Sequence, residues 1–264
     1  MPQPLFLEER RSYILESLQR MGRVSVKDLS EHLGVSAVTI RQDLQALEEE
    51  GLLKRTYGGA VSLLAASVTQ AQSEQAFEVR RLKFSAEKEA IGRAAAALVK
   101  DGYGIAMDGS TTAVAIAPYL KQYENLVIVT NSLMIAQQFV ETPQIRVQMP
   151  AGRLRRDSIS LVGQPETLPT VNFNVGFFGA HGLSMETGIT EMSEDEALIK
   201  KALITHCLAT VIVVDSSKWG LIAPYTYASP YQLERIITTQ NAPAEMVKQF
   251  RSSGVVVETV ALGG

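Results

Sequence analysis

The spacing of apolar residues between Val24 and Ala60 restricts this stretch to two short helices around a tight turn, followed by a β-hairpin. Ser25 followed by Asp28 is a capping-box variant that opens the first helix, whose apolar side is Leu29 and Leu33. Gly34 stops it. Ser36 caps the second helix, in which Ile40, Leu44 and Leu47 fall at i, i+4 and i+7 and make one buried stripe. At about 100° per residue, Val38, Gln42 and Gln45 point away from that stripe, while Thr39 and Arg41 flank it. Such side chains read base edges in a major groove: Arg41 can fork onto guanine, Gln42 can pair with adenine and Val38 can touch a thymine methyl. An earlier helix with Ile14, Leu15, Leu18 and Met21 on one side supplies the third wall of a minimal core.

Past Gly51, the run from Leu52 to Tyr57 reads as a strand, and Gly58-Gly59 permits the positive φ of a tight turn, so the hairpin forms a wing. Lys54, Arg55 and Tyr57 bring two cations and a hydroxyl to phosphates, which position a protein without reading sequence. A protein-binding module could use the same helices and hairpin, but the caps, the outward polar set and the basic hairpin agree on double-stranded DNA. The expected DNA-facing residues are Ser36, Val38, Thr39, Arg41, Gln42 and Gln45 on the helix. On the wing they are Lys54, Arg55, Tyr57, Gly58 and Gly59.

The run resembles the N-terminal winged helix-turn-helix of the DeoR family of bacterial regulators. That signature pairs an Ile-Leu helix with Thr-Ile-Arg-x-Asp-Leu and a closing Gly-Gly, present here as Ile14-Leu15, Thr39 to Leu44 and Gly58-Gly59. Gln42 departs from it, since many members carry a second basic residue there.

Net charge does not mark this unit, because residues 1–61 carry 8 Lys plus Arg against 9 Asp plus Glu. Clustering has to do so. Glu48, Glu49 and Glu50 crowd the far end of the second helix and disfavour phosphate there, leaving Arg41, Lys54 and Arg55 as the footprint. If one module neutralises about three to five phosphates, two joined copies are needed for nanomolar affinity, so a dimer or tetramer is expected.

The length of 264 residues fits two domains. Residues 1–61 form the winged unit, 62–76 a linker of small and polar residues without a clear period, and 77–264 a larger α/β domain. Cys207 is the one cysteine, so a disulfide framework is excluded and a reducing cytoplasm is expected. Neither His32 nor His206 belongs to a metal-spaced cluster, and both read as structural. No metal or cofactor is expected. The charged start, Glu8 to Arg11, is unlike a signal peptide, and no apolar run approaches about 18 residues, so no membrane partner is expected.

In the larger domain, short β-type runs at Ile105 to Met107, Leu126 to Val129, Ile145 to Met149, Phe173 to Phe178, Val211 to Val214 and Val255 to Val257 alternate with helices. The helices are expected over Glu87 to Leu98, Thr111 to Gln122, Leu133 to Val140 and Glu194 to Leu208. The alternation implies a mostly parallel sheet, with ligands collecting at the carboxyl ends of its strands. Polar motifs sit at those ends. Asp108, Gly109, Ser110, Thr111 and Thr112 leave one strand and open a helix, reading either as a helix cap or as a phosphate site. Thr130-Asn131-Ser132 follows another strand, Gly179-Ala180-His181-Gly182 a third, and Asp215 to Gly220 a fourth.

These loops resemble, in order, the C-terminal sensor domain of the same family: Asp-x-Gly-Ser-Thr-Thr near Asp108, Thr-Asn at Thr130, Gly-x-Leu-Arg at Gly152, Glu-Asp-Glu-Ala at Glu194 and Asp-Ser-Ser-Lys at Asp215. His181 and Trp219 depart from the family pattern, where many relatives have Asp and Phe. The resemblance runs from about Leu7 to Val260. It implies a fold similar to ribose-phosphate isomerases and a phosphorylated sugar as effector. On that footing Ser110, Thr111 and Thr112 donate to the phosphate, and Arg153 or Lys218 offsets its charge. Asp108 and Asp215 accept from sugar hydroxyls or orient Lys218, and Thr130, Asn131, Gly179 and His181 complete the pocket. Arg153 also reads as part of a surface charge run, and Glu194 with Glu196 as carboxylates favoured by a helix start. The expected protein is a DNA-binding repressor of a carbohydrate operon, released by a phosphorylated sugar and carrying no catalytic residue. The alternative is a sugar-phosphate isomerase or hydrolase fused to a DNA-binding module.

Overall fold

The computed structural model describes residues 10–11, 13–15, 17–18, 23–49, 52–56, 58–62, 72–169 and 171–262. They form two compact units, Met1–Val79 and Arg80–Gly264.

In the smaller unit, helical residues at 10–11, 13–15 and 17–18 precede β1 (Arg23–Ser25), α1 (Val26–Leu33), α2 (Ala37–Glu49), β2 (Leu53–Thr56) and β3 (Gly59–Ser62). The caps form as their chemistry dictates. The Ser25 side chain accepts from Asp28 N at 3.0 Å, Gly34 ends α1 at φ 64°, and Ser36 Oγ accepts from Thr39 N at 3.1 Å. Ile40, Leu44 and Leu47 are buried together with Ile14, Leu18, Leu29, Leu33 and Leu53, while Leu15 packs partly buried against them. Met21 lies outside the described residues. The hairpin gains a third strand, since β1 pairs antiparallel with β3, giving the order β1-β3-β2.

The core also holds a charge. Asp43 is 2 % exposed and takes two hydrogen bonds from the Arg10 guanidinium, at 2.5 and 3.1 Å, with Arg11 Nε 3.8 Å away. A buried carboxylate without a cation would be strongly disfavoured, so this pair joins the first helical segment to α2.

Residues 63–71, most of the expected linker, lie outside the described residues. The expectation for 62–76 is corrected at both ends: Ser62 ends β3, and 72–76 begin α3 (Gln72–Leu82), a helix across which the division between units falls. Polar composition misled here, because Gln, Ser, Glu and Ala are all compatible with a helix.

The larger unit continues with α4 (Ser85–Ala96), β4 (Gly104–Met107), α5 (Thr111–Val114), α6 (Ala117–Leu120), β5 (Val127–Thr130), α7 (Leu133–Gln138) and β6 (Arg146–Gln148). The hairpin β7 (Arg153–Arg155) and β8 (Ser160–Val162) follows, then β9 (Val175–Phe178), β10 (Gly182–Ser184), β11 (Gly188–Glu191) and α8 (Glu194–Ile204). The chain closes with β12 (Thr210–Val213), β13 (Tyr225–Ala228), β14 (Arg235–Thr239), α9 (Ala244–Ser252) and β15 (Val256–Val260). Among these strands a seven-stranded sheet runs β15-β14-β12-β9-β4-β5-β6, with every pair parallel. Its order reverses between β4 and β9, and the crevice outside their carboxyl ends is where open α/β sheets hold ligands. A smaller antiparallel sheet, β10-β11-β13, stands beside it.

Two expectations are corrected. The helix read over Thr111 to Gln122 is two short ones, because Pro118 has no N–H to continue the ladder. Gly92 of α4 faces that break: a Cβ there would lie 2.3 Å from the Ala115 carbonyl oxygen. Strand β14, absent from the sequence reading, lies inside the sheet, and its signal is four successive β-branched residues, Ile236 to Thr239. Cys207 is half-buried against the core, and burial pushes its thiol up to about 12, so it stays protonated and unreactive.

Candidate functional site

The outward face of α2 has the composition needed to read base pairs. Val38 is 60 % exposed, and Arg41, Gln42 and Gln45 are exposed beside it. Ser36 and Thr39 hold each other at the helix start, their hydroxyl oxygens 2.9 Å apart, which fixes the end that would enter a groove first. Gln45 donates to Glu49 Oε1 at 3.1 Å. Glu48, read from sequence as a repulsive charge, accepts from the backbone N–H of Arg55 at 2.9 Å and so joins the helix to the wing.

On the wing, Arg55 is exposed. Lys54 lies in β2, its side chain outside the described residues, and Tyr57 falls outside them altogether. The two glycines do different work. Gly58 takes φ 90°, as the turn requires, whereas Gly59 has no positive φ and is buried: a Cβ there would meet the Val24 carbonyl oxygen at 2.0 Å. Gly59 is therefore corrected from the DNA-facing set to the packing of β3 on β1.

The second site is a pocket of about 250 Å³ over the carboxyl ends of β4, β9 and β12. It is smaller than the ~300–1,000 Å³ that drug-sized ligands occupy and suits a small metabolite. The loop Gly109 to Thr112 forms one wall, Gly179, Ala180 and His181 another, and Lys218 closes a third side. Arg80, Arg155, Asp157, Ser158, Glu191, Met192, Glu196 and Lys200 complete the lining.

Charges in this pocket are organised in layers. At the floor, Lys200 is 2 % exposed, with Nζ 2.9 Å from Asp108 Oδ2, 2.6 Å from Glu191 Oε2 and 2.9 Å from the Gly179 carbonyl oxygen. Burial alone would lower its pKa, but the charges of Asp108 and Glu191 prevail and raise it, so the ammonium is fixed. Burial likewise pushes Glu191 up, and Lys200 reverses the sign, leaving Glu191 below its ordinary range. Arg155 grips Asp157 at 2.6 and 2.5 Å, and that hydrogen bond holds the Asp157 carboxyl below its ordinary range. Glu196 takes hydrogen bonds from Asn131 at 3.0 Å, Ser158 at 2.9 Å and Ser160 at 2.5 Å.

Two cations stand apart from these pairs. Arg80 donates to the Asp157 carbonyl oxygen at 2.5 Å and, among the described residues, forms no ion pair. Lys218 forms none there either. His181 is pushed down, chiefly by burial and then by the charge of Lys218, so its imidazole is neutral at neutral pH.

Several expected contacts are corrected. Asp108 is fully buried beneath the pocket, accepting from Ser110 N, Ser110 Oγ and Gly179 N at 3.1, 2.6 and 2.9 Å, so it shapes the loop instead of meeting a ligand. Ser110 spends its hydroxyl on that bond and on capping Ala113 N at 3.1 Å, which leaves Thr111 and Thr112 as the hydroxyl residues of this loop that line the pocket without a hydrogen bond to Asp108. Asp215 is 1 % exposed and accepts from Ser217 N and Oγ at 3.1 and 2.5 Å, away from the lining. Thr130 is buried and caps Ser132 N at 3.1 Å, and Asn131 acts one layer back, through Glu196. Arg153 is exposed and ends on Asp195. It shares a strand face with Arg155, but only Arg155, next to the turn, reaches the pocket.

Arg80, Lys200 and Arg155 are the lining cations that sequence reasoning missed. Lys200 does carry a signal, being in phase with the buried Glu196, Ala197, Leu203 and Ile204 of α8, where a solvated lysine would not sit. Among the described residues no group of three His, Cys, Asp or Glu could hold a metal, and no helix is long and apolar enough to cross a membrane.

Comparison with known proteins adds the following. Residues 10–65 match the DeoR-like helix-turn-helix domain and residues 83–240 the DeoR C terminal sensor domain. The chain is 31 % identical to the HTH-type transcriptional regulator GolR of Listeria innocua, covering 96 % of this chain and 99 % of that one. It is 32 % identical to the HTH-type transcriptional regulator GlpR of Haloferax volcanii, covering 94 % and 96 %. The glycerol-3-phosphate regulon repressor of Escherichia coli (strain K12) is 29 % identical, with 95 % and 98 % covered. Among solved structures, ribose 5-phosphate isomerase A of Methanocaldococcus jannaschii aligns over 50 % of this chain and 53 % of that one, at 17 % identity and a TM-score of 0.37.

Proposed function

This chain belongs to the DeoR family of DNA-binding transcriptional regulators, and from that premise we propose that it represses a carbohydrate-metabolism operon and leaves its operator when a phosphorylated sugar fills the pocket of the larger unit. It is a regulator and not an enzyme.

One observation carries the effector reading: Arg80 and Lys218, neither paired with a carboxylate among the described residues, line the same small pocket as Thr111 and Thr112. A phosphate dianion supplies the charge those two cations lack, and charge-assisted hydrogen bonds are the strong kind. Glu196 and neutral His181 offer acceptors for sugar hydroxyls, since a carboxylate has about four acceptor positions and Glu196 uses three on the protein. A sugar phosphate therefore meets cations at one end and acceptors at the other. The glycerol-3-phosphate regulon named for one relative agrees with a small phosphorylated effector.

DNA binding is assigned to α2 and the wing, with Val38, Arg41, Gln42 and Gln45 toward the bases and Lys54 and Arg55 toward phosphates. Two such modules are required, because about three to five phosphate contacts give weak binding by one copy, so the working form is a dimer or tetramer. Release works by population shift: the effector prefers the arrangement that cannot seat two recognition helices on their half-sites, and a preference of about 1 to 3 kcal/mol gives useful control. The segment 63–71 and α3 carry that preference between units.

Thermal unfolding with added ligands tests the pocket. Sugar phosphates should raise the Tm of the larger unit while the parent sugars do not, and Lys218→Met should abolish the increase. Equal stabilisation by parent sugars would refute the phosphate assignment.

A further inference from the structure

Behind the pocket, one buried ammonium joins the two segments that present its unpaired cations. Lys88 of α4 is 4 % exposed and does not line the pocket. Its Nζ donates to the carbonyl oxygen of Arg80 at 2.5 Å and to that of Lys83. Arg80 lies in the last turn of α3 and Lys83 just past its end, so Lys88 caps the C-terminal end of that helix. The same Nζ lies 3.6 Å from Asp215 Oδ2. Asp215 shapes the turn carrying Lys218 by accepting from the backbone and the hydroxyl of Ser217.

The neighbouring Glu87 fixes the base of that turn. It accepts from Ser216 N at 2.8 Å and Ser216 Oγ at 2.9 Å, and from Thr239 and Asn241 at 2.9 Å each. The turn is therefore anchored to the sheet by one residue of α4 and linked to α3 by the next. Lys88 donates two hydrogen bonds to the end of α3 and stands in ion-pair range of the Asp215 carboxylate, so one buried charge faces both segments. Moving either segment alone would strand a buried polar group, so the two shift together or not at all.

We propose that Lys88 is the positioning residue through which occupancy of the pocket is felt at the C-terminal end of α3, the helix that leads back along the chain to the wing. The proposal rests on the reading of the pocket as an anion-binding effector site. An anion drawing Arg80 and Lys218 together loads both sides of the Lys88 link. Without the ammonium the anion still meets its cations, but its pull reaches α3 only through the Arg80 side chain, because the last carbonyls of that helix are no longer tied to the Lys218 turn.

The full-length chain allows binding and transmission to be read separately, with inorganic phosphate as probe. Trp219, the one tryptophan, follows Lys218 directly, is 6 % exposed and donates to Thr238 Oγ1 at 3.1 Å, so its emission reports on the pocket turn. Hydrogen exchange of peptides within 72–84 reports on α3. In the wild type, phosphate should titrate the emission saturably and slow that exchange severalfold. Lys88→Met should keep the emission titration and lose most of the exchange response, and Asp215→Asn, which leaves Lys88 on its carbonyls, should do the same. A merely structural lysine would lower stability without separating the two signals. An unaltered exchange response in Lys88→Met, or in Asp215→Asn if Lys88→Met does not fold, overturns the proposal. A wild type that titrates without an α3 response overturns it too, leaving the pocket reading intact. No saturable titration in the wild type overturns the pocket reading and this proposal with it.

Discussion

Glu48 Oε1 of the recognition helix accepts a hydrogen bond from the backbone N–H of Arg55 in the first wing strand, at 2.9 Å. The carboxylate has two opposing effects on DNA binding. It repels phosphate, and it fixes the wing relative to the helix. Repulsion alone predicts that Glu48→Ala tightens binding. If the wing must be held for Arg55 to reach a phosphate, Glu48→Ala weakens operator binding by about 1 kcal/mol, near the net worth of one hydrogen bond. Fluorescence anisotropy of a labelled duplex gives the sign, and weaker binding is expected.

Arg41 is exposed on α2, flanking the stripe of Ile40, Leu44 and Leu47. Arg41→Ala should cost about 1 to 3 kcal/mol at the operator and relax preference at one base position. Arg55→Ala should instead weaken all sequences alike and reduce the salt slope by about one unit. Titrations at several salt concentrations, on operator and scrambled duplexes, separate the two.

Thr111 lines the pocket. Thr111→Glu places a carboxylate where the phosphate is proposed to sit, and should leave operator affinity within about twofold while eliminating the response to effector, because like charges within ~4–6 Å are strongly disfavoured in a partly buried site. Normal release by the variant would move the phosphate site elsewhere.

Glu87 is buried, and its four hydrogen bonds matter at low pH. Burial pushes its carboxyl up, but the bonds from Asn241, Ser216 and Thr239 outweigh that and leave it below the usual glutamate range. A group depressed on folding adds stability that is complete above its unfolded value of about 4.3 and fades as pH falls through the folded value. Glu87→Gln should therefore cost about 2 kcal/mol at pH 7, and the gap to wild type should narrow toward pH 3. Urea unfolding across that range measures it; a constant gap would mean that the charge contributes nothing.

Local rules delivered the smaller unit because its logic is local: caps lie within three residues and the stripe Ile40, Leu44, Leu47 within two turns. Asp43 eluded them, since its partner Arg10 is distant in sequence and a helical carboxylate ordinarily faces water. The strand ends of the larger unit were found for the same local reason, as polar and glycine-rich breaks after apolar runs. Which of their side chains meets the pocket was not. Asp108 and Asp215 look like ligands in one dimension, and only the arrival of Lys200 and Lys88 from other helices shows them to be supports. Arg153 and Arg155 are equivalent by pattern and differ because the turn after β7 brings one of them over the pocket.

The central claim is that a phosphorylated sugar in the larger unit governs whether the smaller one stays on DNA. The most direct test is anisotropy of an operator duplex, selected from a random-sequence pool, bound by the full chain and titrated with a panel of sugar phosphates and their parent sugars. The account predicts that one sugar phosphate releases the duplex with no chemical change to itself, that its parent sugar does not, and that Lys218→Met binds the duplex normally but ignores the ligand. Retention of the duplex against every phosphorylated sugar, or turnover of one of them, would contradict it.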